Sequence, residues 1–204
     1  MNALLIVDVQ NDFCPGGVLQ VPEGDTIIPI INKLSKKFAT VIQTQDWHPA
    51  GHASFASTHP EKAAYDTLKM PYGNQMLWPD HCVQETQGAA FHPDLNTRQT
   101  QLIIRKGFRK QVDSYSAFFE NDHTTPTGLR GYLHDRNIDS LFVTGLATDF
   151  CIKWSVLDGL KQGFRIRVVE DAVRGIDLDN SVAQAWDEME IAGAKRLTSS
   201  QLLT

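Results

Sequence analysis

Cysteine is scarce in this chain: three residues, Cys14, Cys82 and Cys151, in 204. An odd count that low cannot build a disulfide framework, so the expected compartment is a reducing cytoplasm where a thiol stays free. Basic residues are not in excess either. Nineteen Lys and Arg against 24 Asp and Glu give a formal charge of −5, which argues against nucleic acid as a partner, because phosphate binding needs clustered cations. No apolar run reaches the ~18–20 residues that a membrane helix requires. The start, MNALLIVD, has no basic segment ahead of its apolar run, so neither a signal peptide nor a membrane partner is expected. Internal repeats and low-complexity tracts are also missing, and one domain over residues 1–204 is the natural organisation.

What is present alternates. Short apolar runs at Ala3–Asp8, Thr40–Thr44, Gln101–Lys106, Ser140–Thr144, Arg165–Glu170 and Lys195–Thr198 read as about six strands. Between them, helical spacing covers Asp25–Phe38, Pro126–Arg136, Asp149–Gln162 and Leu178–Ala192, with Asp25 and Thr125 as expected N-caps. Strands alternating with helices imply an α/β fold: a mostly parallel, doubly wound sheet in a three-layer α/β/α sandwich. Residues 47–100 break the rhythm. That stretch holds five of the seven histidines, and long irregular stretches of such composition are usually functional.

Ligands of doubly wound sheets bind at the carboxyl ends of the strands. Those ends carry Asp8, Asp46, Lys106 and the segment Gly145–Cys151. Taken alone, Cys151 reads as a small core residue. It also sits at the start of a helix, where the dipole would lower its pKa and favour thiolate. Asp8 and Lys106, each alone a strand-end ion-pair residue, shift the balance. Together, a carboxylate that can take a thiol proton and an ammonium that can hold the charges make Cys151 a candidate nucleophile. Asp46 and His48 lie two apart at another strand end and could share a metal ion, although loop histidines are often merely solvated. There is no GxSxG elbow, and no histidine is placed to suggest a Cys-His pair. The first strand is followed by Val9-Gln10-Asn11-Asp12-Phe13, without a Gly-rich phosphate loop, which speaks against a nucleotide-binding module.

Six segments carry a family resemblance: DVQNDFCPGG (Asp8–Gly17), QDWHPAGHASFA (Gln45–Ala56), WPDHCV (Trp78–Val83), RKG (Arg105–Gly107), VDSYSAFF (Val112–Phe119) and GLATDFC (Gly145–Cys151). In this order, across essentially the whole chain, they resemble the nicotinamidases of the isochorismatase-like hydrolase superfamily. The resemblance implies a catalytic triad of Asp8, Lys106 and Cys151, and an oxyanion hole from the backbone N–H groups of Ala147 and Cys151. It also implies a cis peptide before Ala147, and a ring pocket walled by Phe13, Trp78 and Tyr115, which would otherwise read as core. A divalent ion would be held by Asp46, His48 and His81, with zinc the first choice and iron or manganese the alternatives. His52 falls outside that ligand set. The implied reaction is hydrolysis of nicotinamide to nicotinate and ammonia through a Cys151 thioester, with pyrazinamide as a further substrate and NAD salvage as the setting. The metal would grip the pyridine nitrogen. The competing readings are an amidase for another small amide and a catalytically silent scaffold. A homo-oligomer is compatible with the sequence, which does not specify one.

Overall fold

The computed structural model describes residues 1–203. Its elements, in chain order, are β1 (Asn2–Val7), α1 (Ile28–Ser35), β2 (Val41–Asp46), β3 (Thr67–Met70), β4 (Gly73–Met76), β5 (Thr100–Lys106), α2 (Leu129–Asp135), β6 (Ser140–Leu146), α3 (Lys153–Lys161), β7 (Arg165–Arg174), α4 (Ser181–Ile191), β8 (Lys195–Leu197) and α5 (Ser200–Leu203). Six strands form one parallel sheet in the order β5-β2-β1-β6-β7-β8. The order reverses between β1 and β6, which places the topological switch point there.

Alternation along β1 builds both cores at once. Leu4 and Ile6 pack with Ile27, Ile31 and Leu34 around α1, whereas Ala3, Leu5 and Val7 face Leu129, Leu133, Val156 and Met189 of α2, α3 and α4. A strand apolar at every position can satisfy both faces only inside a covered sheet. Each fully buried Leu or Ile contributes about 1.5–3 kcal/mol relative to exposure.

Helix starts are where the structure departs from the sequence reading. The segment expected from Asp25 begins as a 3₁₀ turn over Gly24–Ile27, and the α-helix starts at Ile28 with no side-chain cap. Pro29 stands at its second position, where a missing N–H costs nothing. The helix expected from Pro126 begins at Leu129, after Gly128 in the left-handed region at φ 98°. Thr125 is not its cap, because its hydroxyl and N–H both donate to Asp122, and Pro126 pairs with Phe119 in a short antiparallel bridge. The helix expected from Asp149 opens with a π-helical turn over Thr148–Ile152 before α3 begins.

The stretch 47–100 is not formless. It folds an antiparallel hairpin, β3 with β4; bridges at His48–Val83 and Phe55–Trp78 tie the stretch to itself, and one at Gln10–Phe91 pins it to the body.

Candidate active site

Parallel strands deliver their carboxyl ends to one rim, and four of them meet here. Asp8 follows β1 at the switch point, with φ 48°, a conformation that Asp tolerates better than most residues. Its Oδ1 accepts a hydrogen bond from Thr44 Oγ1 of β2 at 2.6 Å. Its Oδ2 lies 2.8 Å from Lys106 Nζ, in ionic contact without hydrogen-bond alignment. Lys106, the last residue of β5, is also paired with Asp46, donates to the Ser114 carbonyl at 2.9 Å and lies 3.5 Å from Cys151 Sγ. Cys151 sits in the π-helical turn after β6, and the Leu146–Ala147 peptide ahead of that turn is cis. Asp8, Asp46, Lys106 and Cys151 are all buried.

Charges packed this closely set one another's protonation. Burial disfavours the Lys106 ammonium, but Asp46, Asp8 and Cys151 outweigh it and hold its pKa well above the usual lysine range. Asp8 is shifted up, because burial outweighs the pull of Lys106 and the Asp46 charge adds to it. Asp46 goes the other way. Burial pushes it up, but Lys106 and His48 bring it well below the usual carboxylate range. The Cys151 thiol is pushed well up by burial, with Lys106 opposing and Asp8 and Asp46 adding. The expectation of a helix-dipole thiolate is therefore corrected. The resting group is a thiol, since burial beside two carboxylates outweighs a dipole worth about 0.3–1 kcal/mol.

Beside this cluster lies a second one. Asp46 Oδ2 is 3.5 Å from His48 Nε2 and 3.7 Å from His81 Nε2. Both rings are fixed from behind: His48 Nδ1–H donates to the Gly107 carbonyl at 2.9 Å, and His81 Nδ1–H to the Pro79 carbonyl at 2.8 Å. A carbonyl can only accept, so in each neutral ring the Nε2 lone pair faces the Asp46 carboxylate. Glycine at 107 is required, because a Cβ there would lie 2.3 Å from the His48 ring. Buried His48 Nε2 has no hydrogen-bond partner. Burial works against a charge on His48, yet Asp46 raises its pKa, and a divalent cation would replace that proton. Three buried N and O donors converging on one point fit a metal ion.

His52 does not join them. Its Nε2–H donates to the Arg109 carbonyl at 2.9 Å, and its Nδ1 accepts from the N–H and hydroxyl of Ser54. Burial, then neighbouring His48, lower its pKa and keep it neutral. With both nitrogens engaged, it buttresses His48 from 4.5 Å between ring centroids.

A tight cavity, with about 20 Å³ of room for water, lies between the two clusters. Cys151, Ala147, Asp46 and His81 form its reactive side, and Phe13, Trp78 and Tyr115 line it. The structure thus brings together every residue singled out from the sequence. Four further lining residues escaped that reading: Leu19, Asp113, Phe150 and Ile176. Phe150, edge-on to Trp78 at 4.8 Å, and Asp113 lie inside quoted motifs, so their neighbours were signals. Leu19 and Ile176 carried none, being ordinary apolar loop residues. Gln75 of β4 was missed as well. Its amide donates to Tyr115 Oη at 2.8 Å and to Asp113 Oδ2 at 2.9 Å, while Trp78 Nε1 donates to the same Tyr115 oxygen at 3.0 Å.

The chain matches the Isochorismatase domain over residues 2–201. It is 52% identical to a nicotinamidase of Acinetobacter baylyi over 201 residues, covering 98% of this chain and 94% of that protein. Among solved structures, an Acinetobacter baumanii nicotinamidase/pyrazinamidase superposes with a TM-score of 0.98 at 56% identity, covering 99% of this chain and 98% of that one. A pyrazinamidase of Pyrococcus horikoshii in complex with zinc superposes with a TM-score of 0.78 at 35% identity, covering 97% and 98%. Matched by that domain over nearly its whole length, and sharing half its residues with a full-length relative, the chain belongs to the isochorismatase family.

Proposed function

We propose that this chain hydrolyses nicotinamide to nicotinate and ammonia through a thioester on Cys151, that it also accepts pyrazinamide, and that it serves NAD salvage in the cytoplasm. The observation that carries the reading is a buried thiol, carboxylate and ammonium beside an Asp-His-His donor set, with Cys151, Asp46 and His81 on the wall of one cavity. The names of the full-length relatives support the substrate. Three free thiols support a reducing compartment, and among the described residues no helix is long and apolar enough to cross a membrane.

In this mechanism Asp8 is the base. Its raised pKa makes it a better proton acceptor than an ordinary carboxylate. It takes the Cys151 thiol proton as sulfur bonds to the amide carbon and the carbonyl oxygen gains charge. The backbone N–H groups of Ala147 and Cys151 hold that oxyanion. Collapse breaks the C–N bond, and Asp8 returns the proton to the departing nitrogen, releasing ammonia. Asp8 then deprotonates a water that attacks the thioester, and the thiol and nicotinate are freed. Lys106 stays an ammonium throughout and keeps the two carboxylates from repelling each other.

Asp46, His48 and His81 would hold the divalent ion, zinc in this reading, in a region of residues 47–100 that serves metal and substrate binding. When bound, the ion supplies a Lewis-acidic contact for the pyridine nitrogen and orients the ring. Phe13, Trp78 and Tyr115 give that ring apolar and edge-on aromatic walls.

Ammonia release from nicotinamide by the purified protein tests the proposal. The Cys151→Ala variant should lose at least about a thousandfold in kcat while keeping its thermal midpoint. Full activity in that variant would overturn the mechanism.

A further inference from the structure

The turn that carries Cys151 also carries a buried acid that the mechanism does not use. Asp149 is 2% exposed, and its carboxylate is turned away from the triad toward the stretch between β7 and α4. There Oδ1 accepts the N–H of Ile176 at 3.1 Å. Oδ2 accepts the N–H of Asp177 at 2.8 Å and the hydroxyl of Ser181 at 2.5 Å. Three donors from one short segment thus converge on one carboxylate, with charge-assisted geometry.

The segment is drawn tight onto it. A Cβ on Gly175 would stand 3.0 Å from Asp149 Oδ1 and 2.2 Å from Val182 Cγ2, so only glycine lets the backbone approach. Asp177, Asp179 and Asn180 all take left-handed conformations, at φ 62°, 51° and 63°. Asp and Asn adopt that region at lower cost than other side chains, but three in four residues is a strained path that surrounding contacts must hold. The outcome is the position of one side chain: Ile176 reaches the cavity wall beside Cys151, Phe150 and Leu19.

We propose that the Gly175–Ser181 segment, latched by Asp149 to the nucleophile's turn, is a specificity-determining wall, on which Ile176 limits the ring substituents a carboxamide substrate can carry. This rests on the nicotinamide reading of the same cavity. A ring held at its nitrogen and at its carboxamide carbon has only its remaining edge free to vary. An aliphatic side chain fixed in place rejects an added methyl group there by overlap. Discrimination of this kind depends on rigidity, because a wall that can retreat rejects nothing. Asp149 is a positioning residue here: it touches no reacting atom and acts through Ile176.

The test measures kcat/KM for nicotinamide and for a panel of nicotinamides methylated singly at each ring carbon. In Ile176→Ala, kcat/KM for at least one methylated amide should gain tenfold or more relative to that for nicotinamide. Ser181→Ala removes one latch bond without touching the nucleophile's turn. It should shift the same ratio in the same direction by two- to fivefold, mainly through KM, with the thermal midpoint close to wild type. A purely structural role for the segment would lower that midpoint and leave the ratio alone. An active wild type with an unchanged Ile176→Ala profile overturns the wall, and an unchanged Ser181→Ala ratio overturns the latch. Wild-type protein that turns over none of the panel overturns the nicotinamide reading, and the wall with it.

Discussion

At the scale of single residues, the site is governed by one ammonium between two carboxylates. Lys106 is fully buried and lies against Asp8, Asp46, the Ser114 carbonyl and Cys151. Its raised pKa means the folded protein holds the proton more tightly than the unfolded chain. Its stabilising contribution is therefore complete below the usual lysine value of about 10.4 and is lost as pH rises through the higher folded value. Lys106→Met leaves two carboxylates buried without compensation, and urea unfolding should show a loss of about 3–5 kcal/mol. As the proposed base, Asp8 should set the acid limb of activity. A base must be ionised to accept the thiol proton, and Asp8 is raised. The kcat/KM profile should therefore fall on acidification at a pH above the ordinary carboxylate value of about 3.9. Any residual activity of Lys106→Met should show that limb moved to still higher pH, because the cation that lowers Asp8 is gone. A limb at or below the ordinary carboxylate value would contradict Asp8 as the base.

Elements act by holding walls still. The hairpin β3–β4 supports the cavity wall from behind through Gln75, 1% exposed. It links Asp113 and Tyr115 from one end and accepts Asn121 Nδ2 at 3.0 Å at the other. Gln75→Ala would leave the Asp113 carboxylate and the Asn121 amide short of partners in a dry site. An unfolding titration should read a loss of about 1–3 kcal/mol. The released Tyr115 should raise KM for nicotinamide by about tenfold, while kcat changes little, since the triad does not touch the hairpin. A fall in kcat with KM unchanged would place the hairpin's influence on the chemistry instead.

Over the whole molecule, the proposed metal ligands tie distant parts of the chain together. Asp46 and His48 come from the end of β2, His81 from beyond the hairpin, and Gly107, which orients His48, from the end of β5. An ion bound only by the folded chain stabilises it by RT ln(1 + [L]/Kd), which is about 2.7 kcal/mol at a hundredfold excess over Kd. Chelation should thus lower the thermal midpoint of wild type by several degrees, with zinc restoring it. His81→Ala should be nearly indifferent to both treatments. Equal midpoints with and without chelator in wild type would remove the ion from the account.

The sequence by itself determined the layers and the rim. Runs apolar at every position, such as Ala3–Val7, can be satisfied only when both faces of a sheet are covered, and the alternation of strand and helix dictates parallel order. Strand-end residues must then gather at one edge, so Asp8, Asp46, Lys106 and Cys151 could be named before their distances were known. Helix starts such as Leu129 were less legible, because Thr125 is engaged by Asp122, a choice made by local geometry that spacing does not reveal. Only the tertiary structure decided the protonation of Cys151, since burial beside two carboxylates is a property of packing and not of position in a helix. It alone also brought Leu19 and Ile176 to the cavity and set Gln75 behind its wall, against Tyr115 and Asp113. Those residues carry no reactive group or local pattern that points to the site, and what they do depends wholly on which distant atoms the fold sets against them.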